Sequence, residues 1–171
     1  MRTLLTISAV TLAGVFFIAA PANAKNADVK YKTVEAKHFD RAEGVELTPE
    51  FSDYLYAELR SQLEKTKIFT QVIGEGEVVE EADAPASVVV TGTLAEYKKG
   101  NVAAAVIIGY GAGNRSLKLQ VNLARRSDMK SIGSLAVKVR APPTWNEKFL
   151  ALEAAKQIAK EIKNLLQHEG A

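Results

Sequence analysis

The stretch LKLQVNLARRSDMKSIGSLAVKVR, residues 117–140, decides the fold of this chain. Apolar residues alternate with polar ones over residues 117–123 and again over residues 135–139, which is the period of a strand with one buried face. The mostly polar residues 127–131 between the two runs favour a turn, so the stretch predicts an antiparallel hairpin. A hairpin with one solvated face has to bury its other face against another layer.

Helical patterns lie on either side of the hairpin. Before it, apolar residues recur every four positions over residues 51–63, and Thr48 with the proline after it supplies an N-cap and a first-turn proline. After it, Thr144 and Glu147 have the spacing of a capping box. The second helix then has an apolar stripe that consists of Leu152, Ala155, Ile158, Ala159, Ile162 and Leu166. The sequence therefore predicts two long amphipathic helices.

Three further segments have the composition of strands. Residues 25–38 alternate loosely, residues 68–73 form a short, mostly apolar run, and residues 87–97 are rich in β-branched side chains. The order strand, helix, strand predicts two parallel strands joined by a crossover. We expect the acidic run 75–86 to be a solvated loop, because crowded charges are usually solvated. It lacks the ordered spacing of a calcium site. Together the elements predict a single α/β domain of the mixed α+β kind, residues 25–171, in which a mixed, mostly antiparallel sheet of about five or six strands is packed by two long helices.

The N-terminal residues 1–24 have the pattern of a signal peptide. A short basic start precedes an apolar run, and Ala22 and Ala24 supply the small residues of a cleavage site, so we expect export after cleavage between Ala24 and Lys25. A retained membrane anchor is the alternative. The expected location is the periplasm if the host has two membranes. The chain has 171 residues and no cysteine, which excludes disulfides, thiolate metal sites and a lipid anchor on cysteine.

The two halves of the exported chain have opposite charge. Residues 25–97 contain 8 Lys and Arg against 15 Asp and Glu, and residues 98–171 contain 13 against 5. We expect the two sets to intermix on the folded surface; the alternative is a dipolar surface that attracts a partner or another copy of the chain. Nothing in this balance indicates a nucleic-acid partner.

The uncharged segment VAAAVIIGYGAGN, residues 102–114, is the most unusual part of the chain. Its glycines do not predict a nucleotide loop, because a strand pattern follows them and no Lys-Ser or Lys-Thr pair is present. If the segment is extended, the glycines form a face of bare backbone that another element can approach closely. That element is a helix of the same chain or another molecule, and the second alternative makes the segment a candidate interaction site: Gly109, Tyr110, Gly111, Ala112 and Gly113. Valine at Gly111 is then expected to cost more stability than valine at Ala112.

Residues for catalysis, cofactor binding or metal binding are not predicted. His38 and His168 lack the spacing of metal ligands, and His38 with Asp40 is expected to be a surface pair. We expect Trp145 to attach the last helix to the sheet, with contact to a partner as the alternative.

Resemblance to a known family rests on the stretch VVVTGTLAEYKKGN (88–101), the tract IIGYGAG (107–113), the paired strands and the last helix. Together these parts resemble the bacterial family known as domain of unknown function 4410. The resemblance covers about residues 50–166. Its most specific feature is the order, ahead of the GYGAG tract, of Gly92, Glu96, Tyr97, Gly100 and Asn101. It implies a small exported envelope protein with no assigned activity.

This chain departs from the family pattern in two places. Many members are lipoproteins, but this chain has no cysteine to carry a lipid. Residues 103–105 are alanines where members are expected to have a basic residue.

We therefore expect a non-enzymatic exported envelope protein that acts as an interaction or assembly accessory, with another envelope protein or its own copies as partner. The first alternative is a self-assembling ring or pore whose segment 102–114 contacts the membrane. The second is an enzyme of unrecognised type.

Overall fold

The structure contains one mixed sheet. It is a computed structural model and describes residues 31–108 and 113–168. Within these residues the strands are β1 (Thr33–Ala36), β2 (Asp40–Arg41), β3 (Gln71–Ile73), β4 (Ser87–Lys98), β5 (Arg115–Arg125) and β6 (Ser131–Ala141). Five of them follow the order β3-β1-β4-β5-β6, and β2 pairs with β4 beyond the end of β1.

The long strands β4, β5 and β6 pair antiparallel, whereas the short strands β1, β2 and β3 make parallel pairs. The predicted hairpin is confirmed as β5 and β6, with Leu117 opposite Val139 and Leu119 opposite Val137. These four side chains are buried, and the polar residues between them are exposed. The predicted fold class, a mixed and mostly antiparallel sheet packed by two long helices, is confirmed.

The described α-helices are α1 (Pro49–Thr66), α2 (Val102–Ile108) and α3 (Glu147–His168). α1 packs over β1 and β3, α3 packs over β5 and β6, and the two helices contact each other on one face of the sheet. α1 buries the residues that its spacing predicts, namely Phe51, Leu55, Leu59 and Leu63. α3 buries Leu150, Ala151, Ala154, Ala155, Ile158, Ala159 and Ile162. Leu152 and Leu166 of the predicted stripe are only part-buried. Each large apolar side chain contributes about 1.5–3 kcal/mol by burial.

The predicted crossover is confirmed, because β1 and β3 flank α1 in sequence and pair in parallel, with Val34 beside Val72. Residues 74–86 then lead from β3 to β4 across the other face of the sheet. Arg126 marks this crossing, since its guanidinium bonds both to the carboxylate of Glu35 on that face and to the carbonyl of Glu77. The run 75–86 is not a loop throughout, because it ends in a short 3-10 helix, Glu81–Ala86.

The start of α1 differs in detail from its prediction. Thr48 occupies the N-cap position and Pro49 follows it, as predicted, but the Thr48 side chain does not cap the helix. Its hydroxyl donates instead to the carboxylate of Glu147, at 2.5 Å. This bond connects the beginning of α1 to the beginning of α3.

The capping box predicted for the last helix is wrong. α3 begins at Glu147, and its cap is Asn146, whose Oδ1 accepts a hydrogen bond from the backbone N–H of Phe149 at 3.0 Å. Thr144 lies before the helix, in a turn closed by the bond from the Trp145 N–H to the carbonyl of Pro142. Asparagine is as good an N-cap as threonine, so the sequence alone does not decide which of the two residues caps the helix. The conformation of the preceding turn decides it.

The oppositely charged halves of the chain lie side by side in the fold. Residues 31–97 form α1 and the strands β1 to β3 with almost all of β4, and residues 98–168 form β5, β6, α2 and α3. Because the strand order is β3-β1-β4-β5-β6, the boundary between the halves falls between β4 and β5. The two sets of charges are therefore not interleaved strand by strand, and they meet at the boundary, where Lys118 pairs with Glu96 and Arg126 with Glu35.

Candidate interaction surface

The segment between β4 and β5 begins with a helix, so the extended conformation predicted for residues 102–114 is wrong for residues 102–108. Asn101 caps this helix: its Oδ1 accepts from the N–H of Ala104 at 3.2 Å, and its carbonyl accepts from the N–H of Ala105 at 3.2 Å. Alanine is the best helix former, and the segment has no alternation of apolar and polar side chains that would favour a strand.

α2 exposes apolar side chains to solvent. Val102 is 53% exposed, Val106 78% and Ile107 82%. With no charged residue in the helix, these side chains form an apolar surface that the described residues leave uncovered.

A second exposed apolar pair lies at the start of α3. Trp145 is 38% exposed and Phe149 52%, and their ring centroids are 5.6 Å apart. The ring of Trp145 contacts that of Phe149, one helical turn further along, so attachment of the last helix to the sheet by Trp145 stays a prediction. The alternative, contact with a partner, remains a prediction.

These two exposed groups lie at the same end of the sheet. Gly100 lies against Pro143 so closely that a Cβ on the glycine would be 2.8 Å from the proline Cα. α2 begins two residues after Gly100, and Trp145 lies two residues after Pro143. We call this the apolar end surface, and it consists of Val102, Val106, Ile107, Trp145 and Phe149.

Of the five predicted interaction residues, only Gly113 is among the described residues; Gly109, Tyr110, Gly111 and Ala112 lie outside them. Gly113 has a φ of +78°, a left-handed conformation that favours glycine, and a Cβ there would collide with the carbonyl of Asn101. Its own carbonyl accepts from the N–H of Asn101 at 2.8 Å. The backbone that approaches this glycine closely is therefore that of Asn101, which precedes the same segment.

An open cleft of about 380 Å³ lies beside the apolar end surface. Its polar lining includes Glu46, Thr48, Tyr97, Lys99 and Glu147. Burial, more than the nearby charges, raises the pKa of the Tyr97 phenol above its ordinary value of 10.0. The Thr48 hydroxyl is bonded to Glu147. These groups can bind a polar ligand, and none of the described lining residues is a histidine that would activate a nucleophile.

His38 does not pair with Asp40. Its Nδ1 is hydrogen-bonded to Oε2 of Glu75 at 2.9 Å, and its ring stacks on Tyr56 with centroids 3.9 Å apart. The hydrogen bonds from His38 hold the pKa of the Glu75 carboxyl below its ordinary value of 4.5. Nε2 of His38 is 3.8 Å from a carboxylate oxygen of Asp53 on α1. The cluster joins the end of β1 to α1 and to the acidic run 75–86. His168, the last described residue, is exposed.

Two features of this surface differ from what the sequence predicts. The helical conformation of residues 102–108 was signalled by the run of alanines after an asparagine, which is a cap followed by strong helix formers. The exposure of Trp145 had a weaker signal, the two prolines before it, which directly follow the last residue of β6.

Among residues 31–108 and 113–168, no cluster of three or more His, Cys, Asp or Glu side chains is arranged to hold a metal ion. The helices of the described part of the chain are all too short or too polar to cross a bilayer.

The fold is that of a small α+β protein whose most distinctive surface is apolar. Several solved structures have a similar fold. The PelC dodecamer from Paraburkholderia phytofirmans matches with a TM-score of 0.54 at 12% identity, over 75% of this chain and 86% of that one. Protein XCC0632 from Xanthomonas campestris, of family DUF330, matches with a TM-score of 0.53 at 12% identity, over 81% and 86%. At these identities the likeness is one of fold.

The family is established by the sequence. The family model "Domain of unknown function (DUF4410)" matches residues 18–142, so the chain belongs to that family, as its resemblance implied. No curated protein matches the chain.

Proposed function

We propose that this protein is a non-enzymatic accessory of the bacterial envelope that acts by binding proteins, first of all other copies of itself, through the apolar end surface. One observation carries the proposal. Of the seven large apolar side chains that are exposed among the described residues, five lie in this one surface. Exposed apolar side chains that are grouped rather than scattered mark a contact site.

Export is part of the proposal and is supported by the pattern of residues 1–24. Intact-mass measurement on protein from the envelope of the native host tests it. A mature protein that begins at Lys25 supports export with cleavage. A mass that corresponds to all 171 residues would mean that the N-terminal segment is retained and the proposed periplasmic location is wrong.

Self-association is supported by the chemistry of the surface, and PelC, which has a related fold, was solved as a dodecamer. Burial of valine, isoleucine and aromatic side chains against the same surface of a second copy would remove them from water. Such an association holds or strengthens at high salt.

The test compares a variant with Val106→Ser and Ile107→Ser against the native mature protein by sedimentation velocity. We expect oligomers of the native protein in 1 M NaCl and a largely monomeric variant. The control is Met129→Asn, which removes an apolar side chain of 57% exposure at the opposite end of the hairpin, at a φ of +54° that asparagine tolerates. A native protein that stays monomeric at every salt concentration, or a control as disruptive as the variant, contradicts self-association through this surface.

A second candidate function, contact with a membrane, is favoured by the exposure and lack of charge of α2. Flotation with vesicles of phosphatidylethanolamine and phosphatidylglycerol tests it, with the same two-residue variant as the comparison. Flotation of the native protein alone would support membrane contact by α2. Equal recovery of both proteins in the unbound fraction would exclude it for these lipids.

A further inference from the structure

We propose that a basic face on the sheet of one copy docks the acidic loop of a second copy. The basic face consists of Lys98, Lys118, Lys138 and Arg140, and the acidic loop is residues 75–83. The inference rests on the self-association proposed above and names two surfaces that meet in it.

The basic face lies on the side of the sheet that the helices do not cover. Lys118 on β5 is directly opposite Lys138 on β6, and Lys98 and Arg140 lie in the next row, on either side of β5. Like charges opposite each other destabilise a sheet. Glu96, which forms an ion pair with Lys118, is the only carboxylate in these two rows. Within the described residues the other three basic side chains form no ion pair, so the face keeps a strong positive charge.

The acidic loop is its counterpart in charge. Five of its nine residues are acidic, and all five are exposed: Glu75, Glu77, Glu80, Glu81 and Asp83. Glu75 is hydrogen-bonded to His38, and Glu77 pairs with Arg60. In the described part of the chain, the side chains of the other three form no ion pair. Three free carboxylates therefore stand against three free cations.

The loop is held away from the basic face of its own molecule. Arg126 pairs with Glu35 and also donates to the carbonyl of Glu77 at 3.3 Å, which attaches the loop near β1 and the beginning of β4. The basic face lies at the other end of β4, where Lys98 is the last residue of the strand. The acidic loop is fixed at one end of the sheet, and the basic face lies at the other end. The acidic loop of one molecule therefore pairs with the basic face of another molecule and not with its own.

The basic face also adjoins the apolar end surface. Lys98 precedes Val102 by four residues, and Arg140 precedes Trp145 by five. An apolar centre beside a charged area is the usual composition of a protein interface. In this arrangement the apolar side chains supply most of the affinity, and the charges select the orientation of the second copy.

Charge reversal with rescue tests the docking. One variant of the mature protein carries Lys138→Glu and Arg140→Glu, and a second carries Glu80→Lys and Glu81→Lys. We expect each variant alone to self-associate about tenfold more weakly than the native protein at 50 mM NaCl, since each exposed ion pair contributes a modest amount. An equimolar mixture of the two should recover part of the native association, because the unchanged basic face of the second variant meets the unchanged acidic loop of the first. The loss should shrink at 500 mM NaCl.

The matched control reverses two charges on the helices that cover the opposite face, with Lys65→Glu on α1 and Lys163→Glu on α3. It should associate like the native protein, and melting temperatures verify that all variants fold. Failure of the mixture to recover, or an equal loss in the control, overturns the docking. If oligomers persist in all variants, the docking pair is wrong while self-association stands; if the native protein is monomeric throughout, the proposed function itself fails. Loss of binding to an acidic polymer such as polyglutamate by the Lys138→Glu, Arg140→Glu variant, with association unchanged, would assign the face to a polyanion and overturn the proposal.

Discussion

Replacing Arg126 by methionine leaves the carboxylate of Glu35 buried without its ion-pair partner. The Glu35 side chain is 5% exposed and that of Arg126 25%. Loss of one partner of a buried pair costs about 3–5 kcal/mol, because the remaining charge keeps its desolvation cost and loses its compensation. Arg126 is partly exposed, so we expect about 3 kcal/mol, at the lower end of this range. For a chain of this size that corresponds to a melting temperature lowered by about 6–12 °C.

Thermal and urea unfolding of the mature protein measure this effect. The control is Arg125→Met, the neighbouring residue, whose pair with Asp128 is between side chains that are 36% and 47% exposed. That pair should contribute about 0–1 kcal/mol. A double variant with Glu35→Leu and Arg126→Met should recover much of the loss, since it removes both buried charges. A single Arg126→Met variant that melts within about 2 °C of the native protein would refute the assignment of a buried pair here.

The other predictions concern local packing, capping and pH. Gly92→Ala should destabilise by about 1–3 kcal/mol, because its Cβ would be 2.5 Å from the buried ring of Phe39; chemical denaturation measures this, and a neutral result would mean that the ring moves freely. Asn146→Ala should cost about 0.5–2 kcal/mol in the same measurement, whereas Thr144→Ala should be neutral; the reverse order would restore the capping box. Because the folded-state pKa of Glu75 is lowered, its contribution is fully present above its unfolded pKa of about 4.5 and is lost as the pH falls through the lower folded-state pKa, so Glu75→Gln should be less stable than the native protein at pH 7, and the difference should shrink as the pH falls below 4.5. A difference in thermal unfolding that stays constant as the pH falls would contradict the role of its charge.

The hairpin and the two long helices were predictable because their patterns reflect the same burial that holds them in place. Alternation over residues 117–123 persists in the structure since the helices cover one face of β5 and solvent covers the other. The four-residue spacing in α1 holds for the same reason. The parallel pairing of β1 and β3 followed from connection rules and not from side chains.

The interaction surface was less predictable, because its defining residues are not buried and leave no periodic pattern. Residues 102–108 are apolar on every side, which is equally compatible with a buried strand and with an exposed helix. The choice between strand and helix depends on two contacts of Asn101. One is its cap on the helix, and the other is the bond from its N–H to the carbonyl of Gly113, twelve residues further along. The exposure of Trp145 likewise depends on where the turn before α3 directs the chain.

The arrangement of charge follows from topology rather than from composition. A single domain mixes the charges of its two halves if their strands interleave in the sheet, as they would if β5 were inserted between β1 and β4. Here β5 and β6 are added in sequence to one edge, as hairpin-connected strands commonly are, and α3 covers the strands of its own half. Two halves of opposite net charge therefore lie side by side in this sheet, and unlike halves of identical molecules attract. Closed rings and open filaments both arise from such unlike contacts, and the angle between successive copies decides between them.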